Sequence, residues 1–304
     1  MPNCGIVDVG SNTIRLSIYQ YSDKDFHFQL LLSKKVTAGL AGYVRSGELS
    51  PQGIQVAAGA LAGFRQAADN LRLDAFHVFA TASLRNISNP DEALAPMEHA
   101  AGTRVRILTG AEEGELSFLG ACHGVPASDV PGLLADIGGG STELVVYQKG
   151  KVLSSVSLAI GSLSLYTRHV TGLFPTAEQA KAIQDQVKAQ LDRHSAQRCP
   201  YLRGVGGTLR AAAKLCGSAP GASIPAQDLR RLYREVKKGD CCTLQRILHV
   251  TPERVHTLAP GLIILNNILT RYQVERVDVS GQGVREGYLL RYVMGEGGAH
   301  AQGR

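Results

Sequence analysis

The stretch Gly5–Tyr19, GIVDVGSNTIRLSIY, consists of two short apolar runs separated by a polar turn. Apolar runs of this length bounded by turn residues are typical of strands, and Gly10 is a residue that tolerates a tight turn. A simple hairpin accounts for the interruption. It does not account for an acid, Asp8, just before the turn and a base, Arg15, just after it.

The same pattern occurs again at Leu133–Tyr147, LLADIGGGSTELVVY, and aligns without a gap. The aligned pairs are Asp8 with Asp136, Gly10 with Gly138, Thr13 with Ser141, Arg15 with Glu143, Leu16 with Leu144, and Tyr19 with Tyr147. Such self-similarity indicates a duplicated architecture. The sequence therefore predicts two related domains, each opening with a strand, a glycine-containing turn and a second strand.

A third glycine cluster lies in LRGVGGTLRAAAK, Leu202–Lys214, where a strand-like run leads through three glycines into an alanine-rich helix. Successive backbone N–H groups in such turns, and at a helix start, form a concavity that binds an anionic oxygen. None of the three turns has a Walker A or dinucleotide-binding register. One such turn alone is weak evidence, but all three together predict phosphate binding.

Strand-like and helical segments alternate along most of the chain, which predicts an α/β protein. Among them, Thr176 and Gln179 have the spacing of a capping box, which predicts a helix running to about His194. The turn-rich segment His123–Gly132 separates a first domain, residues 1–122, from a second, residues 123–304. Each is expected to contain a five-stranded mixed sheet. The last helix, about residues 284–304, is a candidate for packing back on the first domain.

Composition limits the other classes of function. The 304 residues are 44% apolar and contain no apolar run long enough to span a membrane, and we expect no signal peptide. Six scattered cysteines without CxxC spacing favour reduced thiols in a cytoplasmic protein. The net charge of +6 fits an ordinary surface or a preference for phosphates, whereas 6% aromatic residues and no Trp argue against a base-stacking surface. We expect no nucleic-acid and no membrane partner.

The motifs DVGSNTIRL, DIGGGSTEL and GVGGT resemble the phosphate loops of the acetate kinase, sugar kinase, heat-shock chaperone and actin superfamily. Within it, the chain resembles the exopolyphosphatase / guanosine pentaphosphate phosphatase (Ppx/GppA) family from residue 5 to about 290. Further matching motifs are ATASLRNISN, TGAEEGELSFLGA, SLAIGSLSL, ERVHTLAPGLIIL and VSGQGVREGYL. The resemblance implies two ribonuclease-H-like (actin-like ATPase) domains with a central cleft.

The resemblance also implies an activity, the Mg²⁺-dependent hydrolysis of the terminal phosphate of inorganic polyphosphate. Guanosine pentaphosphate is the alternative substrate, and a non-enzymatic sensor of phosphate chains or nucleotides is the alternative class. A homodimer stays open as the assembly. Some longer members carry an additional C-terminal helical part, which we expect to be absent here.

The candidate catalytic residue is Glu113, the second acid of TGAEEGELSFLGA, which the resemblance implies activates the attacking water. Glu112 is the second candidate, and acids near a helix start are also favoured for structural reasons. The resemblance places Asp8, Asp136 and Glu143 beside Mg²⁺, with a monovalent cation as a further candidate cofactor.

The candidate phosphate-binding residues come from the three turns and from arginines in the matching motifs. They are Gly10, Ser11, Asn12, Thr13, Arg15, Arg85, Gly138, Gly139, Gly140, Ser141, Thr142, Gly206, Gly207, Thr208 and Arg254. Arginine suits this task because its planar guanidinium can hold two phosphate oxygens at once. A fourth arginine in these motifs, Arg285, is equally suited to a structural pair with an acid such as Glu286.

Overall fold

The computed structural model describes residues 1–219 and 221–295. The chain forms two compact units. The first contains Met1–Gly120 and the segment from Val284 onward, and the second contains Ala121–Gly283. The division thus falls two residues before the predicted boundary. The second predicted domain ran to 304, with the last helix, about residues 284–304, as a candidate for packing back on the first domain. Its described residues, 284–295, belong to the first unit, and residues 296–304 lie outside the described part of the chain.

The first unit contains a five-stranded sheet in the order β3-β2-β1-β6-β7 and a separate two-stranded ribbon, β4-β5. The strands are β1 Asn3–Val9, β2 Thr13–Ser22, β3 His27–Thr37, β4 Val44–Arg45, β5 Glu48–Leu49, β6 Ala75–Ala80 and β7 Val105–Ile107. The helices are α1 Pro51–Asn70, α2 Ala82–Arg85, α3 Pro90–Ala101, α4 Gly110–Cys122 and α11 Val284–Tyr288. A 3-10 turn is formed by Leu40–Tyr43. The last two residues of α4 belong to the second unit.

The second unit contains a six-stranded sheet in the order β10-β9-β8-β11-β13-β12. The strands are β8 Gly132–Ile137, β9 Thr142–Gln148, β10 Lys151–Leu158, β11 Tyr201–Val205, β12 Ser223–Pro225 and β13 Arg276–Val279. The helices are α5 Ser162–His169, α6 Ala177–Leu191, α7 Gly207–Leu215, α8 Ala226–Lys238, α9 Cys241–Val250 and α10 Leu258–Arg271, with a 3-10 turn at Pro252–Arg254.

The expectation of five strands per domain is wrong for the second unit, because β12 adds a sixth strand at the edge of its sheet. β12 has three residues, ends in Pro225 and pairs only with β13. A proline without an N–H donor is tolerated at a sheet edge. A strand this short shows no alternating apolar pattern, so the sequence did not indicate it.

The internal repeat in the sequence corresponds to a repeat in the backbone structure of the two units. In the first unit β1 pairs antiparallel with β2 and parallel with β6, and in the second β8 pairs antiparallel with β9 and parallel with β11. The two turns close in the same way: Gly10 N donates to Thr13 O at 3.1 Å, and Gly138 N donates to Ser141 O at 3.0 Å. Both units therefore present the end of a central strand beside a glycine turn.

Helices cover both faces of the first sheet. One face packs against α1 and α3 through a buried cluster that includes Leu16 and Phe64. The other face, which includes Ile6, Tyr19 and Phe79, packs against α4 and the segment that begins at Val284. Burial of apolar side chains of this size contributes about 1.5–3 kcal/mol each to folding. The segment that enters last along the chain is thus part of the first unit's core.

The predicted capping box at the start of α6 is confirmed. Thr176 Oγ1 accepts from Gln179 N at 3.3 Å, and Gln179 Oε1 accepts from Thr176 N at 3.0 Å. The two bonds satisfy amides that the first helical turn leaves without partners. The helix ends at Leu191, three residues before the predicted end. Within residues 1–219 and 221–295, no helix combines the length and the apolar character needed to cross a membrane.

Three glycines in α1 allow a matched test of the packing of the first unit. An added Cβ at buried Gly53 would lie 2.6 Å from Tyr43 Cβ, whereas Gly59 and Gly63 are exposed and have nothing within 4 Å of that position. We expect Gly59→Ala to raise the free energy of unfolding by about 0.5–1 kcal/mol, because alanine favours the helix. Gly53→Ala should lower it by about 1–3 kcal/mol through overpacking. Thermal unfolding of both variants measures the difference, and a stabilised Gly53→Ala would contradict the packing.

Candidate functional site

Glu113 lies in the first turn of α4, directly after the strand β7. Its side chain is buried, with 7% of the residue exposed. The guanidinium of Arg85 donates from Nη1 to Glu113 Oε2 at 2.6 Å and to Leu108 O at 3.1 Å. The structure therefore brings together two of the predicted site residues, since Arg85 ends the short helix α2 after the neighbouring strand β6. A buried carboxylate fixed by a guanidinium has a defined direction in which to accept a proton.

The neighbouring Glu112 has a different role. Thr109 N donates to Glu112 Oε2 at 2.9 Å, and Glu112 N donates to Thr109 Oγ1 at 3.2 Å, so the two residues form a capping box at the start of α4. Burial raises the pKa of the Glu112 carboxyl, but its bonds to Thr109 and to the Arg106 guanidinium outweigh this and hold the pKa below its usual value. Glu112 therefore begins the helix that carries Glu113.

The first glycine turn, Gly10–Thr13, accepts backbone hydrogen bonds from the segment that follows β3. Gly39 N donates to Asn12 O at 2.9 Å, and Ala41 N donates to Ser11 O at 3.0 Å. With these carbonyls engaged, the turn has a fixed shape. Asn12 and Thr13 remain partly exposed, while Ser11 is buried.

The charged residues that flank the first turn are direct cross-strand partners. Asp8 on β1 is opposite Arg15 on β2, and such partners point to the same face of the sheet. Arg15 also donates from Nη1 to Ser33 Oγ at 3.0 Å, which holds the guanidinium against β3. The structure thus places an acid and a base side by side at the end of the strand that leads into the turn.

The second glycine turn, Gly138–Ser141, is fixed by the start of α5. Ser162 N donates to Gly138 O at 2.9 Å, and the amides of Leu163 and Ser164 donate to Gly139 O at 3.0 and 2.9 Å. Gly161 lies so close that an added Cβ would be 2.4 Å from the backbone of Gly139. The sequence analysis assigned no role to Gly161. The signal that could have indicated one is its place in the matching motif SLAIGSLSL, just before a helix.

Two predicted phosphate-binding threonines have buried side chains. Thr142 is fully buried, and its Oγ1 donates to Ile160 O at 2.7 Å. Thr208 is also buried, and its Oγ1 lies 2.6 Å from the place that a Cβ on Gly261 would occupy. Phosphate binding by Thr142 and Thr208 stays a prediction.

Asp136 and Glu143 are cross-strand partners on β8 and β9, as Asp8 and Arg15 are in the first unit. Glu143 is almost fully buried, and it accepts from Ser157 Oγ at 2.8 Å. Ser157 lies on β10 and was not singled out from the sequence, because nothing in its surroundings there distinguishes it. Two carboxylates next to each other on one face supply the hard oxygen ligands that Mg²⁺ prefers.

The third glycine cluster lies beside Asp136. Gly206 has φ +97°, and an added Cβ there would be 2.6 Å from Ile137 O and 3.0 Å from Asp136 Oδ1. The position therefore requires glycine, both for its left-handed backbone and for the close approach. The guanidinium of Arg254 lies over the next residue, Gly207, with Nη2 2.0 Å from the place of an added Cβ. The second unit thus assembles an acid pair, a helix start and an arginine.

Other groups of the described chain contribute no further cluster of this kind. Across residues 1–219 and 221–295, no three His, Cys, Asp or Glu side chains are arranged to hold a metal ion. The six cysteines are free thiols. Burial raises the pKa of Cys4 to about 12 and that of Cys122 to about 11, so both are protonated near neutral pH.

Comparison with known proteins gives related sequences and structures. Guanosine-5'-triphosphate,3'-diphosphate pyrophosphatase of Photobacterium profundum is 25% identical over 293 residues, which cover 95% of this chain and 59% of that protein. The chain thus spans about three fifths of the length of this relative. Exopolyphosphatase 1 of Mycobacterium leprae is 24% identical over 300 residues, which cover 94% of this chain and 89% of that protein.

The crystal structure of an exopolyphosphatase from Cytophaga hutchinsonii superimposes with a TM-score of 0.84 at 22% identity, and the match covers 96% of this chain and 97% of that one. This likeness confirms the predicted fold class, in which each domain is an α/β unit of the ribonuclease-H-like, actin-like type. A model of the Ppx/GppA phosphatase family matches residues 18–296, which is most of the chain. The protein is therefore a member of the Ppx/GppA phosphatase family.

Proposed function

We propose that the protein is a phosphoanhydride hydrolase that releases the terminal phosphate of inorganic polyphosphate. The observation that carries this proposal is the buried Glu113 carboxylate held by Arg85 at 2.6 Å, since a sensor of phosphate chains needs binding turns but no such acid. The name of the Mycobacterium leprae relative, most of whose length the chain covers, favours polyphosphate. The name of the Photobacterium profundum relative supports guanosine pentaphosphate as the second candidate.

Phosphoryl transfer to water asks the protein mainly to position the reactants and to neutralise charge. In each unit the backbone amides of the glycine turns bind phosphate oxygens, with Arg15 adding positive charge in the first unit and Arg254 in the second. Glu113 accepts a hydrogen bond from the attacking water and orients it toward the terminal phosphorus. Arg85 keeps the carboxylate in that direction, which reduces the reorganisation needed during the reaction.

The acid pair of the second unit suits a Mg²⁺ ion. Magnesium keeps several waters and is typically bound through one or two carboxylates and the substrate phosphates, so a site without a three-acid cluster fits it. Asp136 and Glu143 would hold the ion, with Ser157 orienting the Glu143 carboxylate. When bound, Mg²⁺ neutralises negative charge on the phosphate chain. In the first unit Asp8 has Arg15 as its cross-strand partner, and there it orders water or a cation beside the phosphate.

The proposal is tested by measuring phosphate release from polyphosphate, guanosine pentaphosphate and ATP side by side in the presence of Mg²⁺. We expect the highest kcat/KM with polyphosphate. A clear preference for guanosine pentaphosphate would select the second candidate. Tight binding of the substrates without phosphate release from any of them would instead support a sensor.

Replacement of the proposed catalytic carboxylate gives the first functional prediction. Glu113→Gln should lower kcat by about 10²-fold or more, the usual scale for loss of a general base, while substrate binding and thermal stability stay near those of the parent protein. Glu112→Gln is the matched control, because glutamine also forms a capping box. The rates are measured by phosphate release. If Glu112→Gln were inactive and Glu113→Gln active, Glu112 would be the general base in place of Glu113.

Arg15 is expected to act on binding and turnover together, because a charge contact to phosphate acts in both the ground state and the transition state. Arg15→Ala should lower kcat/KM by about tenfold or more, the value of a hydrogen bond to a charged group. Lys34→Ala removes the same charge from the neighbouring strand, on the opposite face of the sheet, and should leave the kinetics unchanged. Steady-state kinetics on polyphosphate compare the two variants. An equal loss of kcat/KM in both would show that the net charge of the surface matters and not a contact between Arg15 and phosphate.

The acid pair predicts a specific dependence on magnesium. Asp136→Asn should raise the Mg²⁺ concentration for half-maximal activity by about tenfold or more, because a neutral amide is a poorer ligand for this hard cation. Asp278→Asn, in the same sheet, pairs with Arg203 and serves as the control. Titration of Mg²⁺ into metal-free protein measures the shift. An unchanged titration curve for Asp136→Asn would remove this residue from the metal site.

A further inference from the structure

The segment Val284–Met294, called here the C-terminal segment, approaches α4 more closely than side chains allow. An added Cβ at Gly287 would lie 1.9 Å from Leu116 O, 2.6 Å from Leu116 C and 2.9 Å from Leu116 Cα. These are rigid backbone atoms, so a larger residue at position 287 forces α4 and the segment apart. The distance between the two backbones is therefore set by the absence of a side chain at Gly287.

This contact falls within one helical turn of the proposed catalytic carboxylate. Leu116 follows Glu113 by three residues in α4, and residues at this spacing are neighbours on a helix surface. Glu113 N donates to Thr109 O at 2.9 Å at the start of the same helix. A shift of the α4 backbone at Leu116 therefore also moves Glu113 relative to Arg85.

Residues on both sides of Glu113 are also tied to the C-terminal segment. Arg291 donates from Nη1 to Glu115 Oε2 at 3.0 Å. Tyr292 donates from its hydroxyl to Glu112 Oε1 at 3.5 Å, and the Arg106 guanidinium lies 4.2 Å from the centre of the Tyr292 ring. These contacts attach to residues before and after Glu113, so they resist rotation of α4 about its own axis.

The C-terminal segment is itself fixed to the sheet of the first unit. Tyr19 on β2 donates from its hydroxyl to Glu286 Oε1 at 2.5 Å, and both residues are buried. Tyr288 stacks on Phe79 of β6 with the ring centres 5.0 Å apart. The segment is therefore a rigid connection between the central strands and the helix that carries Glu113.

We propose that the C-terminal segment is a positioning element for Glu113, in which Gly287 sets the distance of α4 from the sheet and Arg291 sets its rotation. This inference rests on the proposed function, because it assumes that the Glu113 carboxylate must point at a water. Neither residue touches the substrate. Both act through the α4 backbone.

The test distinguishes an effect on the position of Glu113 from an effect on the stability of the fold. Gly287→Ala should lower kcat on polyphosphate by about 10- to 10²-fold, the scale of a displacement of about 1 Å, while KM changes by less than about twofold. Phe64→Leu is the matched control, because it loosens the buried cluster on the opposite face of the same sheet, away from the C-terminal segment. It should lower the melting temperature and leave kcat unchanged.

A charge exchange provides a second arm that does not depend on the folding of Gly287→Ala. Arg291→Glu and Glu115→Arg should each lower kcat, and the double variant should recover most of it. This half-exposed pair is expected to contribute little to stability, so the loss of kcat should exceed any loss of melting temperature. Loss of kcat in step with melting temperature across all variants, Phe64→Leu included, would overturn the proposal.

Hydrogen exchange of the α4 amides gives a readout that needs no activity. The Glu113 amide should exchange faster in Gly287→Ala than in the parent protein, and faster than in Phe64→Leu, whose change lies on the opposite face of the sheet. If the parent protein releases no phosphate but this exchange pattern is seen, the proposed function fails and the positioning of α4 stands. If the parent protein is active and neither kcat nor exchange responds to Gly287→Ala, the positioning proposal fails alone.

Discussion

The architecture of both units depends on one local backbone hydrogen bond, which joins the glycine N–H after a central strand to the carbonyl three residues later. It connects Gly10 to Thr13 in the first unit and Gly138 to Ser141 in the second. A Cβ would lie 3.0 Å from that carbonyl oxygen at Gly10 and 3.1 Å at Gly138, which is closer than most Cβ contacts, so the turn favours a residue without a side chain. The residue two positions before the glycine and the residue two positions after the carbonyl are direct cross-strand partners in both units.

The shared frame carries different charges in the two units. In the first unit the partners are Asp8 and Arg15, whose formal charges cancel, and Arg15 also donates to Ser33 Oγ. In the second unit they are Asp136 and Glu143, two acids side by side. Adjacent carboxylates repel each other unless a cation, a proton or hydrogen-bond donors compensate them. One difference in the repeated pattern, an acid in place of an arginine, therefore changes the formal charge of the cross-strand pair from neutral to negative.

Features that depend on neighbours in the chain could be predicted from the sequence. The strands that flank Gly10 and Gly138 follow from apolar runs cut by turn residues, and the capping box of α6 follows from Thr176 and Gln179 at the required spacing. The α/β class and the repeat are likewise properties of the local pattern. The match to a family model then establishes the family to which these patterns belong.

Features that depend on close approach between distant segments could not be predicted. Gly161 and Gly287 look like ordinary helix glycines in the sequence, yet each lies against backbone that is 22 or 171 residues away, at Gly139 and Leu116. The Thr142 hydroxyl donates to Ile160 O, 18 residues away, and this bond too is set by the fold. The contact between Glu113 and Arg85 has the same origin, because the two residues are 28 positions apart in the chain. The capping box of Thr109 and Glu112, in contrast, is a local spacing that the sequence contains.

The first unit is built from both ends of the described chain, and this has a consequence for folding during synthesis. The second unit, Ala121–Gly283, is continuous, so all of its strands are available before the ribosome has made the last helix. The apolar sheet face that includes Ile6, Tyr19 and Phe79 must wait for Tyr288, Leu289 and Leu290, which are made more than 200 residues later. Contacts this distant in sequence form slowly, and uncovered apolar surface of this kind is where nascent chains aggregate or engage chaperones. The N-terminal half of the molecule is thus translated first and completed last.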